Sequence, residues 1–403
     1  MDIAIVGGGA AGFFSAINVK ENYPDYNVVI FEKSNKVLSK VKISGGGRCN
    51  ITNGCSSISE LAKAYPRGAK KLKKAFYIFN NMDAMHWFES RGVPLIIQED
   101  NCVFPKSQDS QSVISCLVNQ VDKLGINLRL NSAVQSISKN KGKIILTIKD
   151  NKKPVLFDKV IVTTGGSPQR KGLNWLEVIG HKIENPAPSL FTFNMPDENI
   201  RNLMGIVIDN PIISIQGTKL KSNGPLLITH WGMSGPAILK LSSYGARILN
   251  EKNYNFKLNI NWTGIANHNI VIKELLDIAQ DNPKKNIANL KAFNLPERLW
   301  LFLLNKKNIH KDKKWGELGK KGINKLNSVL TNDEYSIRGK TTFREEFVTC
   351  GGVSLDSVDF NTMQSKVFPN LYFAGEVLDI DGITGGYNFQ AAWTTAFIAA
   401  KLN

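Results

Sequence analysis

Apolar residues along this chain come in short runs bounded by glycine, and the spacing of the runs predicts alternating strands and helices. Asp2–Val6 (DIAIV) is too brief for a helix and suits a buried parallel strand. Gly7-x-Gly9-x-x-Gly12 follows, and then an alanine-rich stretch of helical character, AAGFFSAINVK. A second strand, NVVIFEK, carries Glu32 and Lys33 at its end. Between residues 126 and 160 the helical period is absent. Apolar and polar positions alternate through AVQSISKNKGKIILTIKD, which predicts short strands joined by a hairpin turn, with Val134 near its start. They lead into DKVIVTTGGSP, an apolar strand ending at Thr163, Thr164, Gly165 and Gly166. Leu371–Ala374 repeats the pattern, with Gly375 and Glu376 at its C-terminal edge, and Gly385 and Gly386 open an alanine-rich helix running to about Lys401.

Residues 191–340 carry no such glycine signals. They mix short strands (within GIVIDNPIISIQG, PLLITH and YNFKLNI) with helical stretches near 269–281 and 296–305. Ser234, before Gly235 and Pro236, predicts a helix N-cap. The expected organisation is α/β. One domain is made from residues 1–190 and 341–403, and residues 191–340 form an inserted domain whose helical part spans about 265–330.

The order strand, GxGxxG, helix has a specific chemistry. Gly7 permits a tight turn, Gly9 leaves room for a pyrophosphate against the backbone, and Gly12 lets helix and strand pack closely, with Ala11 in the same first turn. The helix N-terminus then presents free N–H groups and partial positive charge. Glu32 lies some 20 residues beyond Gly12, where a carboxylate accepts hydrogen bonds from an adenosine ribose. NAD and FAD both suit these residues. The remainder favours FAD, because the chain does not continue strand–helix–strand. It enters VKISGGGRCNITN (residues 41–53), and later a β-meander feeds a strand that ends in Gly-Gly.

Three consecutive glycines are entropically expensive to order, which fits a ligand lying against Gly45, Gly46 and Gly47. Beside them, Lys42 and Arg48 suit a phosphate, and Arg48 also suits a reduced flavin; Ser44 and Asn50 complete the loop. Cys49 has two readings: a thiol that donates a proton to a carbanion, or a small apolar filler. Asn388 is either a cap or a flavin contact, and Glu376 either a ribityl ligand or a solvated strand-end acid. His230, in THWGMSGP, either faces the same cavity or is a hydrogen-bonded structural residue.

Taken together, Gly7–Gly12, SGGGRCNITN, THWGMSGPAIL, CGGVSLDSVDFNTMQSK and GEVLDIDGITGGYNFQAAW resemble the BaiN/YhiN-like family of NAD(P)/FAD-dependent oxidoreductases, which includes aminoacetone oxidase-like flavoproteins. The resemblance covers nearly the whole chain. It implies a Rossmann-type, glutathione-reductase-like FAD domain built from both chain ends, interrupted by an inserted domain with a β-barrel-like part and a helical part. It also implies that Glu376 stands where many flavoproteins carry Asp. Members of the family are associated with dihydrouridine formation in ribosomal RNA. Others act on small molecules, as amine oxidases or as ene-reductases on steroid-like substrates.

Charge sharpens the choice of partner. Lys and Arg outnumber Asp and Glu, 51 to 34. Residues 60–75 carry six basic residues, among them Lys70, Lys71, Lys73 and Lys74, against Glu60 alone. Residues 265–330 carry 13 basic and 6 acidic residues, with Lys313 and Lys314 adjacent. Such clusters attract RNA, or merely solubilise the surface. With a flavin, an RNA partner predicts reduction of uracil to dihydrouracil: hydride to C6, and a proton to C5 from an acid such as Cys49. Only one dinucleotide fingerprint is visible, so NAD(P)H is expected as a visiting reductant. A small-molecule flavoenzyme is the alternative, and a non-catalytic flavin protein a distant third. Trp231, Trp262, Trp300 and Trp315 could stack on bases, although burial is the commoner fate of tryptophan. Five scattered cysteines, without CxxC or HExxH, predict reduced thiols in a cytoplasm and no metal site. MDIAIVGGG lacks a basic segment ahead of its apolar run, and no apolar run reaches the ~20 residues of a membrane helix, so neither a secretion signal nor a membrane partner is expected.

Overall fold

Strands rich in Val, Ile and Phe on both faces belong inside a parallel sheet covered by helices. The computed structural model describes residues 1–149, 151, 153–341 and 348–403. In it β1 (Asp2–Val6), β2 (Asn27–Phe31), β3 (Asn127–Arg129), β4 (Lys159–Val162) and β5 (Leu371–Phe373) run parallel in the order β5-β4-β1-β2-β3. Val358–Asp359 and Gln364–Ser365 extend the sheet antiparallel beyond β5. Register matters most here. Val6 sits opposite both Phe31 and Val162, and Val162 sits opposite Phe373. Four strand ends are therefore flush, and whatever follows each strand emerges side by side.

Helix α1 (Ala10–Asn22) and the C-terminal helix Tyr387–Ala399 are buried over most of their surfaces. Their small residues, Ala11, Gly12 and Ala16 on one and Ala391, Ala392 and Ala396 on the other, suit close packing. Phe14 fills the space beside them, with its ring centroid 5.1 Å from that of Trp393 and 4.5 Å from that of Trp87. Helix α2 (Ala69–Ala75) buries Leu72 and Ala75. The alternating segment forms a three-stranded meander, Val134–Asn140, Lys143–Ile148 and Val155–Phe157. Its first turn is Lys141-Gly142, at φ +47° and +83°, the left-handed pair that a two-residue hairpin requires.

The chain divides into two compact units, Met1–Ser189 with Phe343–Asn403, and Leu190–Thr342. Among its described residues the second unit has two antiparallel sheets, of five and four strands. Its helices are Pro236–Glu251, His268–Asp281, α3 (Glu297–Lys306) and α4 (Gly319–Thr331). In this unit one expectation is corrected and one alternative is decided. Ser234 does not cap the helix at Pro236, because Gly235 occupies the N-cap at φ +96°. Trp262, Trp300 and Trp315 are core residues and present no face to a base. Each indole N–H is satisfied internally, on Asp333 Oδ2 (3.1 Å), the Ile287 carbonyl (2.8 Å) and the Leu290 carbonyl (3.1 Å). Trp231 is half-buried and donates to Thr192 Oγ1 at 3.1 Å. Among the described residues no helix is long and apolar enough to cross a membrane.

One core residue makes the first unit sensitive to pH. His181 is buried against the ring of Phe373 (4.8 Å between centroids), its Nε2 is 3.1 Å from Ser365 Oγ, and its Nδ1 has no partner. Burial pushes its pKa down to about 4. The unfolded chain takes up this proton near the usual 6.5, the folded one does not. Stability should therefore be full above pH 6.5 and fall as pH drops towards 4, by roughly 2–3 kcal/mol from this group. Denaturant midpoints of His181→Gln should lose that part of the slope between pH 4.5 and 7; an unchanged slope would refute the assignment.

Candidate functional site

The flush strand ends bring four segments to one edge of the sheet, where ligands of open α/β sheets bind. Gly7 turns the chain out of β1 at φ +119°, and a Cβ there would lie 2.5 Å from the Thr163 carbonyl oxygen at the end of β4. A Cβ on Gly12 would drive into the Gly7 carbonyl oxygen, so the helix can sit this close only without a side chain. Gly9 differs. It is the N-cap of α1, has extended backbone, receives no side-chain cap, and nothing lies within 4 Å of where its Cβ would be. An open space thus faces the positive end of a helix, as a pyrophosphate requires. Ala11 lies in this first turn.

Glu32 is held beside the turn. Its Oε2 accepts from the Gly8 N–H at 2.8 Å, and its Oε1 accepts from the Ser34 N–H and hydroxyl, both at 2.9 Å. The adjacent Lys33 is exposed. The Glu32 carbonyl also accepts from the Ser132 N–H at 2.8 Å, which brings the chain at Val134, half-buried, alongside. Thr164 is exposed at the end of β4, and Gly165 follows at φ +75°. Gly375, at φ +78°, seats the C-terminal segment against α1: a Cβ there would be 2.9 Å from that of Ala11. Glu376 reaches the same edge, but its oxygens are engaged. Oε2 pairs with Lys40 at 2.7 Å, and Oε1 accepts from the Thr349 N–H at 2.8 Å.

A second cluster forms around residues 44–53. The helical segment Ser39–Gly47 breaks at Ser44, whose ψ is 147°, and Gly45, Gly46 and Gly47 continue at φ +58°, +69° and +85°. At Gly45 the space is taken by Phe104, 2.8 Å from a notional Cβ; at Gly46 and Gly47 it is open. Arg48 lies over Phe104, 4.1 Å from its centroid, and donates to the Gly45 carbonyl (3.1 Å) and Gln108 (3.2 Å). Lys42 is exposed, and Ser44 donates its hydroxyl to the Val41 carbonyl at 2.9 Å. The loop is stitched to the start of the C-terminal helix. Thr52 donates to Gln390 (2.6 Å), Asn53 donates to the Gly385 carbonyl (3.2 Å), and Asn50 Oδ1 would be 2.7 Å from a Cβ on Gly386. Gly386 is the N-cap of that helix, at φ +85°, again without a side-chain cap.

The chain matches the HI0933-like protein Rossmann domain family over residues 1–402. It belongs to that family. A ribosomal RNA dihydrouridine synthase of Haemophilus influenzae is 28% identical over 98% of this chain and 96% of that protein. A 3-dehydro-bile acid delta(4,6)-reductase of Clostridium scindens is 24% identical over 99% of this chain and 98% of that protein. Among solved structures, a 3-ketosteroid delta1-dehydrogenase from Sterolibacterium denitrificans covers 99% of this chain and 98% of its own, at 12% identity and a TM-score of 0.53, which is a likeness of fold.

Against this HI0933-like frame, several expected site residues have other occupations. Cys49 is completely buried in the core, at φ +63°, with its N–H on the Ser44 carbonyl at 2.9 Å. Burial pushes its thiol up to about 12, so the thiol stays protonated, and it is its complete enclosure that fits the filler reading. Asn388 neither caps its helix nor stands free: its amide accepts from the Gly382 N–H (2.8 Å) and donates to the Gly382 carbonyl (3.1 Å). His230 belongs to the second unit, where it is exposed and edge-on to Trp231. Of the basic residues, Lys70, Lys73 and Lys74 are exposed on α2, and Lys71 is half-buried with its ammonium 5.9 Å from the Phe360 centroid. Lys313 and Lys314 lie in the second unit; Lys314 is exposed, and the Lys313 carbonyl accepts from the Ile287 N–H at 2.8 Å. Lys40, Thr349 and Asp381 were not legible as site residues, and Arg67 counted only as one of the six basic residues of 60–75. Asp381 alone had a visible cue, as the second acid of DID beside the glycine motif.

Proposed function

We propose that this chain is an FAD-dependent oxidoreductase that reduces a uracil base of ribosomal RNA to dihydrouracil, with NAD(P)H as visiting reductant, in the cytoplasm. The observation that carries the cofactor reading is the uncapped end of α1 at Gly9, open where Gly7, Glu32, Thr163 and Gly375 emerge together. The residues present fit the group. Gly9 to Gly12 would take the diphosphate, Glu32 the adenosine ribose, and Gly165 and Gly375 the close approach of the chain between them. The loop at Gly46–Arg48 and the bare helix end at Gly386 would border the ring. Bound there, FAD supplies two-electron chemistry, in which C6 of the base gains a hydride and C5 a proton. Arg48, fixed over Phe104, holds a positive charge beside the open backbone of Gly46 and Gly47. Cys49 is set aside as the donor of the C5 proton.

The substrate reading rests on the RNA-modifying relative, matched nearly end to end, and on the exposed lysines of α2. The exposed Tyr77, just beyond them, offers a ring for stacking. Mass analysis of ribosomal RNA from a strain lacking this chain should show one site lighter by two hydrogens. Charge reversal at Lys70, Lys73 and Lys74 should weaken binding of ribosomal RNA at low salt by at least tenfold and flatten the salt slope by about 2. RNA of unchanged mass would end the reading. The bile acid relative favours a second one, an ene-reductase on a small molecule. That reading expects flavin reoxidation by a steroid enone and indifference to RNA.

A further inference from the structure

The helical part of the second unit carries a shallow, open cleft of about 590 Å³ lined by Lys307, Lys320, Lys321, Asn324, Lys325 and Ser328. Lys307 is the C-cap residue of α3, and the other five lie on α4. The opposite face of α4 buries Ile323, Leu326, Val329 and Leu330. Packing is thus complete without the residues that line the cleft. No acidic side chain is among them, and among the described residues none of the four lysines is in an ion pair.

This arrangement works against the stability of the free protein. Lys320 and Lys321 occupy the first turn of α4, at the positive end of its dipole. Lys321 and Lys325 are like charges one turn apart. Lysines gathered this way, with amide and hydroxyl donors between them, are matched by an anion. From Lys320 to Ser328 the row rises about 12 Å along the helix, longer than a single phosphate group and suited to a chain of them.

We infer that this cleft, lined by residues other than the lysines of α2 and other than Lys313 and Lys314, is a docking site for the phosphate backbone of RNA. The inference rests on the RNA reading of the substrate. It assigns to the second unit the task of gripping the strand rather than the reacting base.

The test uses the full-length, flavin-loaded protein and transcribed ribosomal RNA, with affinity measured across a series of KCl concentrations. Lys320→Gln, Lys321→Gln and Lys325→Gln combined should weaken binding at low salt by tenfold to a hundredfold and flatten the log–log salt slope by about 2. Without RNA the triple variant should melt at or slightly above the wild-type temperature, since it removes repulsion and a poor helix start. Wild-type binding with an unchanged slope in the variant would overturn the cleft and leave the RNA reading standing. If the wild type itself ignores RNA and the deletion strain keeps its ribosomal RNA mass, the RNA reading falls and the cleft with it.

Discussion

Gly12→Ala is expected to yield a colourless protein that melts far below the wild type, whereas Gly9→Ala is expected to yield a well-folded protein that loses its flavin. The two glycines belong to one motif and differ in what surrounds them. Alanine at Gly12 gains up to about 1 kcal/mol of helix propensity. Against this, its methyl would enter the Gly7 carbonyl oxygen and lie 2.9 Å from Thr163 Oγ1. Both obstacles belong to the sheet edge and to the turn out of β1, so neither moves without opening the β1–β4 register. Overpacking typically costs about 1–3 kcal/mol and occasionally more; with a backbone oxygen 1.9 Å away this case lies at the upper end, and the steric term wins. At Gly9 no atom lies within 4 Å of the added methyl and φ is −93°, so the backbone is unstrained. The fold should lose under about 1 kcal/mol there, from a poorer N-cap. Only a ligand in the open space would meet that methyl. Flavin absorbance after gel filtration, set beside thermal unfolding, separates the outcomes. A yellow Gly9→Ala protein with wild-type cofactor affinity would overturn the assignment of this space to a dinucleotide.

The features legible in the sequence are those whose cause is local. The turn at Gly7–Gly12 is announced by the strand before it and the helix after it. The Lys141-Gly142 hairpin is announced by alternation on both sides. The positive φ of Gly45–Gly47 is implied by three glycines where packing asks for none. The connections that hold the site are of another kind. Lys40 meets Glu376 across 336 residues, and Thr52 meets Gln390 across 338. Nothing near either partner marks it, because each contact is decided by how the parallel strands are ordered. The same holds for Cys49, whose motif suggests chemistry but whose left-handed turn points its thiol into the core. Helix α4 was hidden for a different reason. Gly319 and Gly322 give it weak propensity, and lysines in its first turn give it a poor start; it forms because Ile323, Leu326, Val329 and Leu330 find a core to enter.

Breaking the pair between Arg67 and Asp381 should be at least as damaging as Gly12→Ala, with a different signature. Asp381 is fully buried and takes both arms of the Arg67 guanidinium, together with the Ser189 hydroxyl at 2.7 Å. Arg67 is itself only 11% exposed at its side chain. It leads into the lysine helix α2, while Asp381 belongs to the segment between Gly375 and Gly386. The pair therefore fastens the basic helix to the glycine-rich border of the proposed ring site. Asp381→Ala strips a buried cation of its two-pronged carboxylate and should cost about 3–5 kcal/mol, a large share of the roughly 5–15 kcal/mol that holds an ordinary domain. Arg67→Lys keeps the charge but loses the two-pronged geometry, and its loss should be intermediate. The double change Arg67→Met with Asp381→Leu removes both charges and should recover most of the stability, since well-packed apolar residues replace buried ion pairs at little cost. Denaturant midpoints for these three variants, set against the wild type, separate the explanations. A double variant no better than Asp381→Ala would mean that the damage comes from lost shape and not from the lost charge pairing. If the double variant regains stability yet binds RNA and flavin weakly, the pair is needed to hold α2 and the glycine loop in place, beyond its contribution to the fold.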